Sequence, residues 1–226
     1  MKLALHLFYN HTFIINNDVT IILKFKKSYF WALIFSTMIL PIVAYGDPVL
    51  KKRATEISKD YPKLEQVIAN MYESMYGAYG VGLAAPQVGL SIRLFLVDTA
   101  PFSDDESYSP EEQAELKAFK RTFINAKILE ESGEEWDFNE GCLSIPNVRE
   151  DVSRCPKIKV EYQDENFKTH VEEFEGLIAR VIQHEYDHIE GVLFTDKVSS
   201  LKKRLLKGKL TNISKGKTSV DYRMRF

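Results

Sequence analysis

One stretch of the sequence, "LIARVIQHEYDHIEG" at residues 177–191, constrains the fold more than any other. Its apolar residues recur at helical spacing just before two histidines and a glutamate, which predicts a buried helix. These apolar residues are Leu177, Ile178, Val181 and Ile182. Buried imidazoles and a buried carboxylate each require a polar partner. The rest of the chain must therefore cover this helix and also supply those partners.

The polar part of this helix is typical of a metal site. His184 and His188 stand four residues apart, so both imidazoles project from one face and can point at one ion. Glu185 is placed to reach a water on that ion without being a ligand. A catalytic metal site keeps three protein ligands and one open position. The third ligand must therefore come from another part of the chain.

A candidate third ligand is Cys142, in the segment "EGCLS". A thiolate with two imidazoles suits zinc or ferrous iron. Taken alone, the helix pattern can arise by chance, and a free cysteine is more often a small buried apolar residue. The presence of both in one chain favours the metal site.

The segment "GVGLAAPQ" at residues 80–87 completes the set. Gly80 and Gly82 allow the backbone to approach a ligand closely, and the Gln87 amide can donate a hydrogen bond. By itself this segment is a weak motif that predicts only a turn.

In this order, the three segments closely resemble the signature motifs of the peptide deformylase family: a glycine-rich segment ending in glutamine, EGCxS and QHExDH. The resemblance extends from about Met38 to the C-terminus. It implies an α+β fold whose antiparallel sheets wrap around a central metal-binding HExxH helix. It also implies hydrolytic removal of the formyl group from the N-terminal formyl-methionine of newly synthesised polypeptides, with release of formate.

The resemblance implies a role for each matching residue. The metal ligands are Cys142, His184 and His188. Glu185 is the catalytic acid and base, while Gln87 and the backbone N–H of Leu143 stabilise the oxyanion. The expected substrate-binding residues are Val81, Gly82, Gly141 and Arg149. The family typically uses one divalent ion, Fe²⁺, for which Zn²⁺, Ni²⁺ or Co²⁺ can substitute.

Two other functions are compatible with parts of the pattern. An HExxH zinc peptidase would use the same helix, but its third ligand is usually a downstream histidine or glutamate. A non-catalytic paralogue that only binds metal or the ribosome would usually have lost a ligand or the acid/base. Whether Cys142 contacts the metal distinguishes the deformylase from the peptidase.

Composition indicates which binding partners and which cellular compartment to expect for this chain. The chain has 226 residues and a formal net charge of -2, which gives no general reason to expect DNA or an anionic membrane as partner. Its two cysteines, Cys142 and Cys155, are expected to be reduced, as in the cytoplasm. The tail from Ser199 is locally basic and is a candidate ribosome contact, although a solvated basic surface is the alternative.

The N-terminal part departs from the family pattern. The segment from Ser28 to Gly46 is uncharged and follows three lysines, as in a signal peptide or membrane anchor. Pro41 interrupts it, and the sequence from Gly46 to Pro48 predicts a turn at the start of a domain. We therefore expect a domain at 38–226. Residues 1–37 form an extension, interpreted as upstream translation before Met38, with a membrane anchor as the alternative.

Periodicity predicts the main elements of the domain. A helix is expected from Leu64 to Met75, and a second basic helix begins near Ser199. The acidic segment between Asp104 and Lys120 predicts a surface loop or short helix. Strands are expected at Ile92–Asp98, Thr122–Leu129 and Lys157–Gln163, and a terminal strand at residues 220–226.

Overall fold

The computed structural model describes residues 8–14, 20–26 and 37–226. The chain divides into two compact units, Met1–Met38 and Ile39–Phe226. Residues 28–36 of the uncharged segment that begins at Ser28 lie outside the described residues. The interpretation of residues 1–37 as upstream translation, with a membrane anchor as the alternative, therefore stays a prediction. No helix among the described residues is long and apolar enough to cross a membrane.

The first unit contains two described strands. They are β1 (Phe8–Ile14) and β2 (Thr20–Lys26), which pair antiparallel with Phe8 opposite Lys26.

The second unit is a mixture of helices and strands, as the sequence predicts. Its strands are β3 (Ile42–Val43), β4 (Gly82–Ala84), β5 (Leu94–Asp98), β6 (Lys120–Ser132), β7 (Trp136–Cys142), β8 (Ile145–Arg154), β9 (Lys157–Gln163), β10 (Thr169–Glu175) and β11 (Met224–Arg225). Its α-helices are α1 (Leu64–Gly77), α2 (Pro110–Ala118), α3 (Gly176–Ile189), α4 (Phe194–Lys197) and α5 (Ser200–Ser214). Short 3-10 turns occupy Pro48–Lys51, Ala85–Val88 and Ala100–Phe102.

A five-stranded antiparallel sheet in the order β10-β9-β6-β5-β4 lies between two helices. The residues of strand β5 are all buried, and successive side chains point to opposite faces of the sheet. Both faces of the sheet are therefore covered. Phe95 and Val97 pack in the cluster that contains the apolar face of α3. Leu94 and Leu96 pack in the cluster that contains Met71 and Met75 of α1. The helix with the histidines is thus held against one face of the sheet.

Strands β7 and β8 form a hairpin outside this sheet. The segment "EGCLS" forms the end of β7 and the turn of this hairpin. The apolar residues of the hairpin pack in a third cluster with β3 and α5. Helix α5 contributes its buried residues Leu206, Leu210 and Ile213 to this cluster. Strand β11 pairs parallel with β3, with Met224 opposite Ile42. The C-terminal tail is therefore part of the packed domain.

The predicted helices and strands are present in the structure, but several of them begin or end at other residues than predicted. The strand Lys157–Gln163 has the predicted bounds, whereas β6 is longer than predicted at both ends. The acidic segment contains the short helix α2. Only Met224–Arg225 of the predicted terminal strand pairs with another strand, so the extent predicted for it is wrong. The strands β7, β8 and β10 were not predicted.

Candidate active site

Helix α3 and the β7–β8 hairpin bring the three predicted metal ligands together. His184 and His188 lie one turn apart on α3, with ring centroids separated by 5.2 Å. The pairing register shifts between Gly141 and Cys142 at the end of β7, which is typical of a bulge that redirects a side chain. The Cys142 Sγ lies 3.2 Å from His188 Nε2. One potential ligand atom from each residue lies within 4.8 Å of the others.

The surroundings of His184 fit a metal ligand. Its Nδ1 lies 2.9 Å from the Oε2 atom of Glu140. An ionised carboxylate only accepts hydrogen bonds, so Nδ1 carries a proton and Nε2 is the nitrogen that remains for a metal. A histidine held by a carboxylate on its other nitrogen is the usual arrangement around protein-bound metals. One thiol and two imidazoles match the donor preferences of zinc and ferrous iron.

Glu140 itself is held by two buried arginines. Arg154 donates from Nε at 2.7 Å and from Nη2 at 2.9 Å, and Arg180 donates from Nη1 at 3.1 Å. Burial acts to raise the pKa of Glu140, but the hydrogen bonds from Arg154 and His184 outweigh it and hold the pKa well below its usual range. Arg154 also donates to Asp187 of α3 at 2.7 Å. This network joins the hairpin to the helix and fixes the orientation of His184.

The two imidazoles have opposite protonation tendencies in the absence of an ion. Burial acts to lower the pKa of His184, but hydrogen bonds with Cys142 and Glu140 raise it well above its usual value. Burial lowers the pKa of His188 well below its usual value, and the charge of His184 adds to this effect. A cation bound between them would take the place of the proton on His184.

Glu185 points into the site from the same helix. It is 4% exposed, and its Oε2 atom has no hydrogen-bond partner among the described residues. Burial raises the pKa of Glu185 to about 7, close to the value that suits a general base and acid at neutral pH. A Cβ atom at Gly82 would lie only 2.7 Å from Cγ and Cδ of Glu185. Glycine at this position is therefore needed for the carboxylate to occupy the site.

Gln87 is fixed with its amide nitrogen toward the site. Its Oε1 accepts from the backbone N–H of Ala84 at 2.8 Å, which settles which end of the amide faces Cys142. Its Nε2 then lies 3.4 Å from Cys142 Sγ and 3.4 Å from Ser144 Oγ. The side chain is buried, so this donor is preplaced beside the three predicted ligands.

These groups open onto a cavity of about 590 Å³. All the substrate-binding residues expected from the sequence line it: Val81, Gly82, Gly141 and Arg149. His184 and Glu185 line the cavity too, whereas His188 lies behind them. Arg149 is at the exposed rim, where its Nε donates to Asn139 Oδ1 at 2.8 Å. The cavity has room for a short extended peptide segment next to the ligand cluster.

Sequence reasoning missed several residues that shape the site. Glu140 stands within "EGCLS", and its position two residues before Cys142 was the available signal. Arg154 and Arg180 gave no signal, because nothing in the sequence shows that they meet at Glu140. Tyr222 lines the cavity and donates to the Leu143 carbonyl at 2.8 Å, although the sequence suggested only a strand there.

Comparison with known proteins identifies a family. Residues 39–204 match the model of the polypeptide deformylase family. A peptide deformylase of Flavobacterium johnsoniae is 70% identical over 189 residues, which cover 84% of this chain and 96% of that protein. A peptide deformylase of Christiangramia forsetii is 67% identical over the same length. Among solved structures, the peptide deformylase of Thermus thermophilus superposes with a TM-score of 0.68 at 38% identity, covering 79% of this chain and 99% of that one.

The support of His184 by Glu140 leads to a prediction on metal affinity. We expect Glu140→Gln to weaken binding of a divalent ion by about ten- to a hundredfold, the usual cost of losing such a carboxylate. Competition with a chromophoric chelator measures this affinity. Glu150→Gln is the matched control, because Glu150 lies opposite Glu140 on β8 but pairs with Lys202 instead. Equal affinities for the two variants would contradict the role of Glu140.

Proposed function

The chain belongs to the peptide deformylase family, and from that premise we propose which residues carry out the reaction. The enzyme is a metal-dependent hydrolase that removes the formyl group from nascent polypeptides. The observation that carries the proposal is the convergence of three parts of the chain on one cavity. Cys142, His184 and Gln87 meet there, with His188 directly behind them. Beside them lies a carboxylate oxygen of Glu185 that has no hydrogen-bond partner among the described residues.

We assign Cys142, His184 and His188 as the ligands of one divalent ion. When bound, such an ion lowers the pKa of a coordinated water and polarises the formyl carbonyl. Three protein ligands leave an open position for water and substrate, as in other catalytic sites. Support comes from the spacing of the three ligand atoms and from the carboxylate that orients His184.

Glu185 moves the proton. Its Oε2 accepts a proton from the attacking water, whose oxygen forms a bond to the formyl carbon. Oε2 of Glu185 then donates this proton to the departing amide nitrogen, and the C–N bond breaks. The products are formate and a peptide with a free N-terminal methionine. Burial disfavours the charged form of this carboxyl and so favours uptake of the proton.

Gln87 and Leu143 stabilise the negative charge that develops on the former carbonyl oxygen. The Gln87 Nε2 and the Leu143 backbone N–H are the two donors, and each stabilises the transition state more than the substrate. The bond from Ala84 to Gln87 Oε1 keeps this amide from rotating. We place the methionine side chain against Val81, Gly82 and Gly141, and a peptide carbonyl near Arg149 at the rim.

The first prediction of this mechanism concerns Glu185→Gln. We expect formate release from a formyl-methionine peptide to fall by about a hundredfold to ten-thousandfold, because the amide cannot accept the proton. The ion should remain bound, since Glu185 is not a ligand. An assay of the full chain beside a protein started at Met38 also tests whether residues 1–37 are dispensable. Normal formate release by the variant would contradict the assignment.

The resident ion is proposed to be Fe²⁺. The donor set suits both ferrous iron and zinc, so the choice rests on the family resemblance. Protein purified without oxygen should contain one iron per chain and lose activity on exposure to air, because a thiolate-bound ferrous centre is readily oxidised. The same protein loaded with zinc should have the same activity before and after exposure to air. Zinc in the anaerobic protein, or iron-bound protein that is stable in air, would contradict the proposal.

The two rival functions receive less support from the site. A zinc peptidase of the HExxH type would take a histidine or glutamate from beyond the helix, whereas here the residue beside both imidazoles is Cys142. A non-catalytic paralogue would not need Glu185 and Gln87 in place, yet both face the cavity. The reduced cysteine in the proposed ligand set is consistent with the reducing cytoplasm, where we expect the enzyme to act.

A contact of α5 with the ribosome is proposed from its charge. Arg204, Lys207 and Lys209 are exposed on this helix, while its other side is buried in the domain. Truncation at Lys202 would remove part of the core, so charge reversal is the better test. We expect Lys207→Glu with Lys209→Glu to weaken co-sedimentation with ribosomes about tenfold at low salt.

The matched control for this test reverses two exposed lysines elsewhere, Lys59→Glu with Lys117→Glu. Both double variants change the net charge equally. If both bound ribosomes as well as the parent protein does, or both lost binding to the same degree, α5 would not be the contact.

A further inference from the structure

The chain after α5 returns to the active site. Strand β11 pairs with β3, where Ile42 N–H donates to Arg223 O and Ala44 N–H donates to Arg225 O, both at 2.8 Å. Arg225 also lies 3.4 Å from Asp47. Tyr222 precedes this strand and lines the cavity. The tail is thus anchored directly after the point where it meets the site.

Tyr222 contacts the loop that supplies the proposed oxyanion donor. Its hydroxyl donates to the carbonyl of Leu143 at 2.8 Å. From the neighbouring segment, the Tyr45 N–H donates to the carbonyl of Ser144, also at 2.8 Å. Two successive carbonyls of the loop are therefore held from outside the hairpin.

The backbone conformation of this loop is uncommon for its length. Cys142 pairs with Ile145, so Leu143 and Ser144 form a two-residue hairpin turn. The favoured two-residue turns require a positive φ at their first or at both central positions, which matches the twist of the strands. Neither Leu143 nor Ser144 has a positive φ. This turn is therefore not one of the two types that match the strand twist.

We propose that Tyr222 is a positioning residue that orients Leu143 for catalysis. Its hydroxyl fixes the peptide plane between Leu143 and Ser144. This limits the backbone rotation at Leu143 that would turn its N–H away from the proposed oxyanion position. The match to the family model ends at residue 204, so Tyr222 lies beyond the part of the chain that it covers. The inference rests on the proposed role of the Leu143 N–H.

The test is Tyr222→Phe, which removes one hydroxyl and keeps the ring that packs against the domain. We expect kcat for formate release to fall about three- to tenfold, the effect of losing one neutral hydrogen bond that acts on the transition state. KM, metal content and thermal midpoint should stay close to those of the control. The control is Tyr72→Phe, whose hydroxyl lies 3.3 Å from Thr122 Oγ1, outside the catalytic cavity.

An unchanged kcat would overturn the proposal. So would a fall in kcat that is matched by lost metal or by a lower thermal midpoint, because that result indicates a purely structural contact. Glu185→Gln is measured in the same assay, so that a failure of the role of Tyr222 can be told from a failure of the proposed mechanism. If Glu185→Gln is inactive and Tyr222→Phe is as active as its control, only the role of Tyr222 fails. If Glu185→Gln keeps normal activity, the proposed mechanism fails at the proton transfer, whatever Tyr222→Phe does.

Discussion

The structure depends on a charged network buried between the β7–β8 hairpin and helix α3. Arg154 joins Glu140 of the hairpin to Asp187 of the helix, and Glu140 in turn holds His184. Burying such charges is costly, and an apolar replacement is often as stable. The network does, however, set the distance and angle between the strand that carries Cys142 and the helix that carries the histidines. Its presence is better explained by the site than by stability.

The same arrangement places helix α3 between the sheet and the hairpin. Its apolar residues pack on the sheet, while its polar residues face the hairpin and the cavity. Glycine at residue 82 lets the sheet edge approach Glu185 closely. The burial that raises the pKa of Glu185 is therefore a product of the packing that forms the domain. A bound dication would oppose this rise, because an opposite charge nearby favours the carboxylate.

The sequence predicted the parts of the fold that depend on local pattern. The apolar residues of α1 and α3, and the β-branched run of β9, follow the periods of a helix and a strand. Strands β7 and β10 were missed because many of their residues are polar and partly exposed, so they lack a clear apolar run. The three motifs identified the candidate ligands, but not Glu140 as the partner of His184. That contact, like the approach of Tyr222 to Leu143, joins residues far apart in the chain and has no local signature.

X-ray absorption spectroscopy of the metal-loaded enzyme shows whether Cys142 joins the two histidines around one ion. We expect one sulfur ligand at about 2.3 Å and two nitrogen ligands at about 2.0–2.1 Å when the ion is zinc. The sulfur signal should disappear in Cys142→Ser. A spectrum of the parent protein with only nitrogen and oxygen ligands would contradict this coordination and would favour a site of the peptidase type.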